Sequence, residues 1–148
     1  MKILFLACAL ACGSGLVMAA QAAPQDTHAG HAPVAAPAQR WATDAPLREG
    51  MSRVSAALDA LKDYEMGQMS EAVALDQIAT IEEATTSMFV NCNLAPDADA
   101  ALHGMLGPLL AAAYRLKANP QDTDAVAAMR VAVADYPRYF DDPQAAAP

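Results

Sequence analysis

The sequence predicts an all-α protein, an antiparallel up-down-up-down four-helix bundle with a disordered N-terminal arm. Three observations carry that expectation. Four stretches between Trp41 and Phe140 space their apolar residues mostly 4 and 3 apart, the period of one buried helix face. No stretch sustains the two-residue alternation of a strand. Alanine accounts for 37 of 148 residues, a composition that suits closely packed helices better than a thick aromatic core.

Residues 1–22 read as a signal peptide. Lys2 is the only charge before Asp26, and Ile3 to Met18 form an apolar run broken by Gly13, Ser14 and Gly15. A basic start, a short apolar run and small residues are the marks of an export signal, and the run is short for a membrane span. Ala20-Gln21-Ala22 fits the cleavage rule, with the cut before Ala23. A lipoprotein cut at Cys12 is the alternative, although Ala9 stands where Leu is normal. Cleavage at Ala23 removes Cys8 and Cys12, leaves Cys92 as the single thiol, and moves the formal charge from −8 to −9 through loss of Lys2. No intramolecular disulfide is then possible, and a lone thiol is unusual in an oxidising compartment. The expected location is periplasmic or secreted.

Residues 23–40 form the Ala-, Pro- and His-bearing arm, with Pro24, Pro33 and Pro37 and nothing to bury. The bundle is expected over residues 41–142, and residues 143–148 read as a loose tail. Thr43-Asp44 before Ala45-Pro46 is a helix start, with a capping acceptor and Pro in the first turn. Leu47, Met51, Val54, Leu58 and Leu61 then mark one face, ending near Tyr64 to Gly67. Ser70 can cap the second helix, whose stripe runs Ala74, Ile78, Ile81, Thr85, Met88 and Cys92. Asn93 and Pro96 mark the next turn, and Asp97 and Asp99 suit a helix N-terminus. The third stripe is Leu102, Leu106, Leu109, Ala113 and Leu116, with Pro108 expected to kink it and Asn119-Pro120 ending it. The fourth is Val126, Met129, Val133, Tyr136 and Phe140, made ragged by Pro137.

The acidic balance argues against nucleic acid and against an anionic membrane surface. No Gly-rich phosphate loop, nucleophile elbow, His-Glu-x-x-His or Cys-x-x-Cys-His is present, so the expectation is a protein without catalytic activity. After signal removal no membrane span is expected.

In the predicted bundle, Met51, Met88, Cys92, Asp99, His103 and Tyr136 share one end, where the arm with His28 and His31 joins. Cys92 and His103 stand eleven residues apart across one turn. Asp99 and His103 are four apart, hence on one helix face. Thiolate, thioether and imidazole suit a copper ion, Cu(I) above all, and a carboxylate commonly orients a ligating imidazole. The metal candidates are therefore Cys92, His103, Met88, Met51, Asp99, His28 and His31. Each also has a plainer place. Cys92, Met51 and Met88 continue core stripes, His103 flanks one, and the arm histidines can simply be solvated. The functional expectation is a periplasmic copper-binding or buffering protein. The alternatives are a non-enzymatic protein-interaction module of the cell envelope and a non-covalent haem bundle with Met51 and His103 as axial ligands.

Asn91-Cys92-Asn93-Leu94, then Pro96, Asp99 and Leu102-His103, form a distinctive run. With Trp41-Ala42-Thr43-Asp44, Leu47 and Met51 before it, and Tyr136 and Phe140 after it, the chain from about Arg40 to Asp142 resembles small secreted helical proteins of proteobacteria sometimes labelled DnrO-like. The resemblance implies export and a helical bundle; the group has no firmly assigned activity, and no catalytic residue is carried over from it.

Overall fold

The computed structural model describes residues 35–145. The expected export signal over residues 1–22, Cys12, His28 and His31 lie outside the described residues. The fold is mostly helical: α1 (Ala45–Glu65), α2 (Glu71–Asn91), α3 (Pro96–Ala118), α4 (Asp124–Val133) and the single turn α5 (Tyr136–Tyr139). Two short strands, β1 (Trp41–Ala42) and β2 (Phe140–Asp141), pair in parallel, Trp41 opposite Phe140 and Ala42 opposite Asp141.

The helix boundaries follow local chemistry. Asp44, in extended backbone, accepts the Leu47 N–H through Oδ1 at 2.9 Å, satisfying a donor that the first turn leaves free. Gly67 adopts φ +69° past the α1 terminus, a conformation that side chains with a Cβ resist. Ser70 accepts from Val73 N and starts α2. Pro96 opens α3 in its first turn, where its missing N–H costs nothing. The same helix runs through Pro108 to Ala118.

α1 packs chiefly on α2, and α3 chiefly on α4; α2–α3 and α1–α4 make thinner seams. The predicted stripes meet in one core that includes Leu47, Val54, Leu61, Ile78, Ile81, Leu106, Leu109 and Met129, all fully buried. Gly50 permits the close approach of α1 and α2. A Cβ there would lie 2.3 Å from Met88 Cγ, well inside contact distance.

Two expectations are corrected. The fourth stripe is not one continuous helix. α4 stops at Val133, α5 takes Tyr136–Tyr139, and Phe140 is already strand. Pro137 has no N–H to continue the ladder from the preceding turn. The β1–β2 pair was not expected, because two residues cannot display a period. It closes an aromatic group in which Trp41 lies 5.7 Å from Phe140 and 5.9 Å from Tyr139, while Tyr136 stacks on Phe140 at 5.0 Å.

Candidate functional site

Asp44 ties the start of α1 to the α2–α3 connection. Its Oδ1 caps α1, and its Oδ2 accepts the Asn93 N–H at 2.6 Å. It also hydrogen-bonds the Cys92 thiol. Cys92 sits just past α2, where its backbone N–H donates to Met88 O and its side chain is half-buried against the core. Burial pushes the thiol up to about 12, helped by the charge and hydrogen bond of Asp44 and by the charge of Asp99. A thiol held neutral at ordinary pH is a weak nucleophile and offers little thiolate to a metal. Tyr136 is nearby. Its phenol is raised by burial first, then by its hydrogen bond to Asp142 and by that carboxylate's charge.

His103 lies one turn beyond Asp99 on α3. Its Nδ1 is 2.9 Å from the Asp99 carbonyl oxygen and 3.5 Å from Asp99 Oδ2. The half-exposed ring stacks on Phe89 of α2 at 4.7 Å. With Nδ1–H donating to that carbonyl, the lone pair resides on Nε2.

The remaining candidates have other surroundings. Met88 is fully buried over Gly50. Met51 is buried and lines a cleft between α1 and α4, which does not include His103. Asp99 interacts with both Cys92 and His103. Among the described residues, no three His, Cys, Asp or Glu side chains gather as a metal site.

The cleft was not foreseen. It encloses about 490 Å³ between α1, α4, α5 and the segment from Asp142 to Ala145. Its origin is a length mismatch. α4 has 10 residues against 21 in α1, so at about 1.5 Å per residue it covers only about half of that helix. Met51, Leu58 and Val133 supply apolar lining, and Ser52 and Ser55 supply hydroxyls.

The charged groups of the cleft are mostly satisfied. Asp142 is buried, with Oδ2 accepting the Tyr136 hydroxyl at 2.9 Å and Oδ1 accepting the Gln144 N–H at 2.8 Å. Asp59 pairs with Lys62 at 2.7 Å. Arg130 holds Glu65 of α1 through Nη2, 2.7 Å from Oε1, but its buried Nη1 has no hydrogen-bond partner. No motif in the sequence signals Arg130 or Asp142, because their partners are brought in by packing.

No known family model, curated protein or solved structure matches the chain. The resemblance to DnrO-like proteins therefore rests on the quoted residues alone.

Proposed function

We propose that this protein is an exported, non-enzymatic binding module, an up-down-up-down antiparallel bundle that receives a small ligand between α1 and α4. The observation that carries this reading is the cleft, apolar at Met51, Leu58 and Val133 and polar at Arg130, Ser52 and Ser55. Mostly apolar concavities with a few convergent polar groups are the usual form of small-molecule sites.

The bundle order is supported by two contacts. Asp44 at the start of α1 bonds Asn93 between α2 and α3. Tyr64 near the end of α1 donates to Pro120 O, just past α3, at 2.7 Å. Export is supported by the pattern of residues 1–22. The non-enzymatic part is supported by Cys92, whose thiol donates to a carboxylate and is held neutral.

The test is protein-observed NMR of the mature chain with a mixed panel of neutral and charged fragments. Fragments that bind should perturb Met51 and Tyr136 resonances, and Ser55→Trp should abolish binding without changing the far-UV circular dichroism. A panel with no binder at millimolar concentration would refute the reading.

A second reading, copper binding, has one observation in its favour. Nδ1 of His103 faces the Asp99 carbonyl, the arrangement that commonly orients a ligating imidazole, and Nε2 is left for a metal. Copper titration with and without residues 23–39 tests it. Affinity should fall at least tenfold in His103→Ala, and further without His28 and His31. Equal affinity in all forms would dismiss it.

A further inference from the structure

The cleft between α1 and α4 carries a more specific chemistry than concavity alone. Of its ionic groups, Asp59 has Lys62, and both oxygens of Asp142 are taken by Tyr136 and Gln144. Arg130 is different. One arm of its guanidinium holds Glu65, while Nη1 has no partner although it is buried. A guanidinium N–H withdrawn from water and left unpaired is unfavourable, and its natural complement is an anionic oxygen.

We propose that the cleft takes a small monocarboxylate with an apolar body, its carboxylate held by Arg130. The inference rests on the cleft being a ligand site at all. Met51, Leu58 and Val133 offer the body an apolar wall. The charge of the ligand is limited by its surroundings. Asp59, Asp142 and Glu65 are close to Arg130 or to the cleft, and the whole chain carries −8, so a phosphate dianion meets more repulsion than a single carboxylate. Arg130 lines the cleft and its side chain is one-third exposed, so its guanidinium is accessible to a ligand seated there.

The experiment is isothermal titration of the full mature chain with octanoate, 1-octanol and octylammonium, three probes that differ only at the head. Octanoate should bind at least tenfold more tightly than 1-octanol. Arg130→Gln should bring octanoate down to the octanol level. Glu65→Gln, which keeps the guanidinium and removes its competing carboxylate, should tighten octanoate. It also keeps the test open if Arg130→Gln fails to fold. Ser55→Trp should abolish octanoate and octanol alike. Equal binding of octanoate and octanol, or tighter binding of octylammonium, would overturn the carboxylate assignment and leave the cleft as a ligand site. Absence of binding by all three would overturn the assignment, and the fragment panel then decides the cleft separately.

Discussion

The state of Cys92 gives a sharp test of the electrostatics at the α1 start. Its thiol is pushed from 9.0 up to about 12, so at a given pH below 9 it holds about a thousandfold less thiolate than an ordinary cysteine. A more basic thiolate is also a better nucleophile, by about 15- to 30-fold over such a shift at the usual Brønsted slope. The net expectation for exchange with an aromatic disulfide at pH 8 is a rate about 30- to 60-fold below that of a model thiol, before any slowing by half-burial. The pH profile removes the steric contribution. The rate should climb about tenfold per pH unit from pH 8 to 10.5, with no plateau near 9. Asp44→Asn keeps a good capping residue and removes a charge, so it should raise the rate at each pH. Because the folded thiol titrates above its ordinary value, its contribution to stability is complete below pH 9.0 and is lost as pH rises toward 12. Cys92→Ala should flatten that alkaline decline. A plateau at or below pH 9 in the intact protein would refute the assignment of Cys92 as a neutral donor to Asp44.

Three further outcomes can be checked by denaturant unfolding. Gly50→Ala should cost about 1–3 kcal/mol, because the new Cβ would lie 2.3 Å from Cγ of the fully buried Met88, and that cost should shrink when the substitution is made in a Met88→Ala background. Thr85→Val should be neutral or stabilising by up to about 1–2 kcal/mol, since Thr85 Oγ1 is buried without a partner and valine has nearly the same shape. Tyr136→Phe should cost about 1–3 kcal/mol by leaving Asp142 Oδ2 without its hydroxyl donor in a buried site.

The legible parts of the fold were those decided within one or two turns. Asp44, Ser70 and Pro96 act where they stand in the chain, and the stripes of α1 to α3 bury as their spacing implies. The end of the chain was illegible for a different reason. Val133, Tyr136 and Phe140 keep helical spacing, yet Phe140 gains more as a strand residue beside Trp41, nearly a hundred positions away in the chain. Tertiary pairing overrode a local period that Pro137 had already weakened.

The site shows the same division between local and distant causes. Asp99 and His103 interact as one helical turn dictates. The partner of Cys92 could not be found that way, because Asp44 had a sufficient local role as a cap. A carboxylate has two oxygens, and the second reaches across to Asn93 and the thiol region. That choice inverts the chemistry expected of Cys92. Reactive and metal-binding thiolates need positive neighbours, whereas Cys92 has Asp44 and Asp99. Among the described residues Cys92 is the free thiol, and the two carboxylates beside it help account for its being held neutral. The cleft had no motif because it arises from α4 being short. Arg130 therefore reads in sequence as an ordinary surface arginine, and only packing strands its Nη1 without a partner.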